Sequence, residues 1–307
     1  MISLFKRVSI VCMLWFVSSN CTSNGSKDIA QATNNNSKHS PSLTEMSTSL
    51  GTLQSPIDNG DKLFVIAHRG VSGLYPENTL RAFEEAIKAN AEMFELDVSI
   101  SKDGIPVIVH DRTVDRTTDF EGEVQSFTLS ELKDMEVGAW FAEEFRGEPF
   151  PTLREALELM KGKIAVNIEI KTEAVQDSWQ NGIVDKTLQI VKELDMAGQI
   201  IYSSFDYRVM EHLEIIDSSI VKALLYEASQ SGELSPSELV QKYRVDAFNC
   251  SYRQLSDAWI QDLQDHQIPY MVYTVNDEDL MKELIQKGVS GIFTDYPSRL
   301  IQIVENL

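Results

Sequence analysis

Cysteine and basic charge are both scarce in this chain. Only Cys12, Cys21 and Cys250 occur in 307 residues, and the first two fall close to the N-terminus. That spacing leaves no basis for an intrachain disulfide framework. Cys250 lies in an apolar run and reads as an inert core residue. Lysine and arginine total 27 against 47 aspartate and glutamate, a formal net charge of −20. Such a balance excludes a nucleic-acid binder, which needs a basic face for phosphates. It also opposes broad adhesion to anionic lipid. An anionic small substrate would be repelled at long range, so local cations would have to capture it. The apolar stretch 8–17 is too short to span a bilayer comfortably. Histidine is rare as well, with five in the chain. His39, His212 and His266 fall in polar or helix-surface sequence and read as incidental, which leaves His68 and His110.

The N-terminal sixty residues differ from the rest. Lys6 and Arg7 precede the apolar stretch, as in an export signal over 1–21. Residues 22–60 are rich in Ser, Thr and Asn, a composition that behaves as a flexible linker. A signal, a cysteine and a polar tether resemble a bacterial lipoprotein, with Cys21 as the lipidated residue. The positions three before and just before it, Ser18 and Asn20, depart from that pattern. The expectation is an exported protein, either a membrane-anchored lipoprotein or periplasmic or extracellular.

Residues 61–307 match the usual size of one α/β barrel. β-Branched apolar runs recur at 63–67, 93–98, 105–109, 164–170, 200–204, 220–225, 245–249, 269–275 and 291–294. Amphipathic stretches at 79–89, 153–160, 182–194, 207–216, 258–265 and 278–287 alternate with them. Asn78 is expected to cap the first, and Gly198 and Gly288 to stop others. Nine strands are one too many for a TIM barrel. Asp103-Gly104 is a hairpin signal, so the run 105–109 is expected to return antiparallel, outside the barrel. The fold class expected is α/β, a TIM (β/α)8 barrel with a small insertion at about 112–150, folded over the mouth.

Polar clusters close several of these runs: His68-Arg69-Gly70, Glu95-Leu96-Asp97, His110-Asp111, Glu169-Ile170-Lys171 and Thr294-Asp295. In such a barrel every strand ends at one mouth, so distant segments could meet there. Glu95 and Asp97 share a strand face by the period of two. Two adjacent carboxylates repel unless a proton or cation intervenes, and hard divalent cations take oxygen ligands. Glu169 could complete a three-carboxylate site, although a plain Glu169–Lys171 ion pair explains that motif equally well. Arg69 offers the fork that fits phosphate oxygens, and Lys171 a point charge. His68 and His110, beside these groups, read as acid–base residues. Tyr273 could form a wall for the substrate, Asp111 a hydrogen-bonding neighbour that shapes the turn, and Asp295 a group that either supports a residue of the site or fixes the loop.

In this order, AHRG (67–70), PENTLRAF (76–83), ELDV (95–98), PVIVHDRTVDRTT (106–118), PTLREAL (151–157), IEIK (168–171), SSF (203–205), YTVN (273–276) and GIFTDYP (291–297) resemble the glycerophosphodiester phosphodiesterase family. The resemblance implies a TIM barrel that hydrolyses small-molecule glycerophosphodiesters to glycerol 3-phosphate and an alcohol. It implies one divalent metal ion, Ca²⁺ or Mg²⁺, on Glu95, Asp97 and Glu169. It further implies an acid–base pair in His68 and His110, and phosphate contacts from Arg69 and Lys171. Tyr273 stands where the family usually has Trp. A phospholipase on a related barrel, a non-catalytic binding barrel and a carboxylate-pair glycosidase are the competing readings. The last gives no reason for two histidines with Arg69 and Lys171.

Overall fold

The computed structural model describes residues 63–307. The signal segment 1–21, the linker 22–60 and Cys21 lie outside the described residues.

Among the described residues there are nine strands: β1 (Phe64–Ala67), β2 (Met93–Ile100), β3 (Pro106–Ile108), β4 (Ala165–Ile170), β5 (Ile200–Ser204), β6 (Lys222–Leu225), β7 (Ala247–Ser251), β8 (Tyr270–Tyr273) and β9 (Gly291–Thr294). Eight of them run in the order β1-β9-β8-β7-β6-β5-β4-β2, and β1 pairs with β2 to close a parallel barrel. This is the expected TIM barrel. The surplus strand behaves as the hairpin signal requires. β3 lies antiparallel on the far end of β2, with Val98 opposite Ile108 and Ile100 opposite Pro106. Gly104 takes φ +80° in the connection, a value that costs glycine little.

Two apolar shells hold the barrel. Inside, every barrel strand gives one residue: Ile66, Met93, Ala165, Ile201, Ala223, Ala247, Met271 and Phe293. Outside, alternate residues such as Phe94, Leu96, Ile168, Phe248 and Val272 pack under the helices. Each large side chain buried there contributes about 1.5–3 kcal/mol. Two residues on from the inner ring, the same strand faces carry Glu95, Asn167, Ser203 and Asn249, all buried. The barrel therefore changes from apolar to polar one step below its mouth.

Helix Leu80–Lys88 buries Ala82, Phe83 and Ala86, and Phe83 packs on Phe94 with ring centroids 4.6 Å apart. Its cap is Thr79, whose side chain accepts from Ala82 N, and not Asn78 as expected. Asn78 is turned instead toward Asp97, at φ 57°. Gly198 does not stop a helix either. Helix Ile183–Glu193 ends earlier, Asp195 takes the positive φ of 52°, and Gly198 sits in the 3-10 turn Ala197–Gln199. Gly288, at φ 78°, follows helix Glu278–Gln286 as expected. Helices Pro236–Tyr243 and Pro297–Glu305 were not expected. The first carries a Ser235/Glu238 capping box and a proline in its first turn, signals that were legible.

Segment 112–150 has its own small core. Val114, Val124, Leu132, Met135, Val137 and Phe150 close on Val107 and Val109 of the hairpin. Its link to the mouth is Arg116, described below. Among the described residues no helix is long and apolar enough to cross a membrane.

Candidate active site

Glu95, Asp97 and Glu169 meet. Each offers an oxygen within 4.8 Å of the others, and all three are buried. The register explains it: Asp97 of β2 lies opposite Glu169 of β4, and Glu95 is one inward position below. Burial, with Asp97 and Glu169 nearby, pushes the Glu95 carboxyl well up. Burial also pushes Glu169 up despite Lys171. Asp97 goes the other way. Burial alone would raise it, but Lys171, Arg69 and His110 outweigh that and hold it well below the carboxylate range.

Two cations sit among these oxygens. Lys171 Nζ donates to Glu169 at 2.7 Å and to Asp97 at 3.2 Å. Burial opposes its charge, but those two carboxylates push its pKa up on balance. Arg69 donates its backbone N–H to Glu95 at 2.8 Å and its Nη1 to Glu77 at 2.8 Å, with Nε 3.3 Å from Asp97. Three acids against Lys171 and Arg69 leave more acid than base in a buried place. Hard oxygen donors in such excess fit a divalent cation.

Each expected histidine has a carboxylate behind it. Asp295 accepts from His68 Nδ1 at 2.7 Å, and is itself fixed by Asn276 and Ser72. Asp111 accepts from His110 Nδ1 at 2.6 Å. Burial raises Asp111, but Arg116 and His110 lower it to about 2. A carboxylate on Nδ1 fixes the tautomer and leaves Nε2 for proton transfer. Asp295 thus supports a histidine, one of the two parts expected of it, and the hydrogen bond expected of Asp111 goes to His110. Tyr273 is half-buried against Phe205 and Phe293, with centroids 6.0 and 6.2 Å away, and burial raises its phenol.

Sequence reading gave no role to Glu77 or Arg116 and misplaced Asn78. Arg116 donates Nε to Asp111 and its two terminal nitrogens to Glu77. Glu77 therefore joins the Arg69 loop to segment 112–150. Asn78 donates to Asp97 Oδ2 at 2.8 Å. All three lie in stretches that carry the family resemblance, but a strand-end search passes over them because none ends a strand.

A buried carboxylate triad with two carboxylate-backed histidines at the mouth of a TIM barrel offers the oxygen ligands and the proton carriers that cleavage of a phosphodiester needs. Comparison with known proteins agrees. The glycerophosphoryl diester phosphodiesterase family model matches residues 68–299, and the chain belongs to that family of enzymes. A glycerophosphodiester phosphodiesterase of Caldanaerobacter subterraneus is 37% identical over 244 residues, 79% of this chain and 98% of that protein. One from Bacillus subtilis is 32% identical over 262 residues, 81% of this chain and 87% of its own. Among solved structures, a phosphodiesterase of Oleispira antarctica in complex with the product sn-glycerol-3-phosphate superposes with a TM-score of 0.71 at 28% identity, covering 78% of this chain and 96% of that one.

Proposed function

We propose that this chain hydrolyses glycerophosphodiesters to glycerol 3-phosphate and an alcohol with a divalent metal ion held by Glu95, Asp97 and Glu169. The observation that carries the metal reading is the convergence of three buried carboxylates with too few cations to neutralise them. Bound there, Ca²⁺ or Mg²⁺ would supply positive charge for phosphate oxygens and favour the ionised form of an oxygen nucleophile. The protein's own groups do the rest. Arg69 and Lys171 bring local cations to a chain of net charge −20 and bind the phosphate. One histidine Nε2 takes the proton of the attacking hydroxyl, from water or from the glycerol itself. The other gives a proton to the leaving alcohol oxygen. Asp295 and Asp111 stabilise whichever imidazolium forms. Tyr273 gives the substrate an aromatic wall.

Turnover of glycerophosphocholine tests this reading. His68→Ala and His110→Ala should each lower kcat by about 10²–10⁴-fold with unchanged circular dichroism. Full activity in either variant removes that histidine from the mechanism. Faster turnover of intact phosphatidylcholine than of glycerophosphocholine would move the assignment to a phospholipase.

A further inference from the structure

Asn249 is fully buried, yet neither side-chain amide atom has a hydrogen-bond partner. Its backbone neighbours Phe248 and Cys250 pack outward under the helices, while Ala247, two residues back, belongs to the inner ring. Period two therefore aims Asn249 into the barrel. It stands in the polar step just below the mouth, the step that also holds Glu95, Asn167 and Ser203. Asn167 is satisfied there, donating to Ser203 Oγ at 3.0 Å; Asn249 is not. β7 is the fourth strand from β2 in either direction round the ring, so Asn249 lies on the wall opposite Glu95 and Asp97. Its register partners are Leu225 and Met271, and Tyr273 closes the next inward position on β8. A fold rarely leaves a buried amide unpaired without a use for it. Because β7 faces the wall that carries Glu95, Asp97 and Glu169, a diester with its phosphate at that wall could reach Asn249 only with the part farthest from phosphorus.

We infer that Asn249 binds the glycerol hydroxyl farthest from phosphorus, with its amide as donor and acceptor. This rests on the phosphodiesterase reading and adds a specificity determinant to it. No bond forms or breaks at Asn249; it is a binding residue.

The test compares two choline phosphodiesters, glycerophosphocholine and 2-hydroxypropyl phosphocholine, which lacks only the terminal hydroxyl. Wild type should favour the first in kcat/KM by about 10- to 100-fold, because the second leaves the buried amide unpaired. Asn249→Leu should bring the ratio close to one by losing rate on glycerophosphocholine while keeping it on the analogue. Its melting temperature should not fall, since the amide it removes has no partner to lose. Asn249→Ser, which keeps one polar atom, should give an intermediate ratio and serves if the leucine variant fails to fold. An unchanged ratio, or equal losses on both diesters, overturns the inference and leaves the phosphodiesterase reading intact. A wild type inactive on both diesters overturns that reading, and this inference with it.

Discussion

The barrel buries a lysine among carboxylates at each of its two ends, and the two clusters have different characters. At the base, Lys222 donates to Glu214 at 3.1 Å and to the Ile220 carbonyl, its own N–H meets Asp246, and Arg244 also reaches Glu214. Two acids face two bases; the Lys222 hydrogen bond lowers the Glu214 carboxyl, while burial raises that of Asp246. At the mouth, Lys171 and Arg69 face three carboxylates, and two of those are pushed up. The base cluster is closed on itself. The mouth cluster has more acids than bases, which suits the proposed cation. Burial of charge alone does not mark a site; incomplete pairing of buried charge does.

Replacing each lysine separates the two. Lys171→Met should abolish most turnover, by about 10²-fold or more, through loss of the cation proposed to bind the phosphate. Its lowered melting temperature should recover in part when Ca²⁺ or Mg²⁺ is added. Lys222→Met should leave kcat unchanged but melt roughly 5 °C lower or more, with no recovery from either ion. If the two variants respond alike to divalent ions, the distinction between the clusters fails.

A smaller effect separates the histidine supports from the scaffold. Asp111 is depressed to about 2 in the folded chain from an ordinary 3.8. Its ionised form therefore stabilises the fold above about pH 4, and that contribution is lost as pH falls through about 2. The melting-temperature gap between wild type and Asp111→Asn should be present at about pH 5 and vanish near pH 2. A gap that persists in acid contradicts the pairing with Arg116 and His110. The smallest expected signal is chemical. Burial pushes the Cys250 thiol up to about 12, so native protein at pH 8 should resist alkylation at Cys250, read by peptide mass. Rapid labelling there would show that the outer core opens.

Much of this contrast was visible in the sequence. Glu95, Asp97, Glu169 and Lys171 follow from period two on apolar strands, and Asp103-Gly104 removes the ninth strand from the barrel. The groups that complete the mouth were not visible, because they act through geometry that crosses elements. Asn78 has the residue type of a helix cap, and only the structure shows its side chain spent on Asp97. Arg116 lies in a segment with few strand signals, so nothing local connects it to Glu77 or Asp111. Asn249 sits in an apolar run where a polar residue resembles a break in the pattern. The base cluster was invisible for the same reason, since Glu214, Lys222 and Asp246 come from separate elements.

Calorimetric titration of metal-free protein with Ca²⁺ and with Mg²⁺ tests the excess of acids at the mouth most directly. The account predicts a single site per chain that is lost in Glu169→Gln and kept in Lys222→Met. Equal binding by wild type and Glu169→Gln would contradict it.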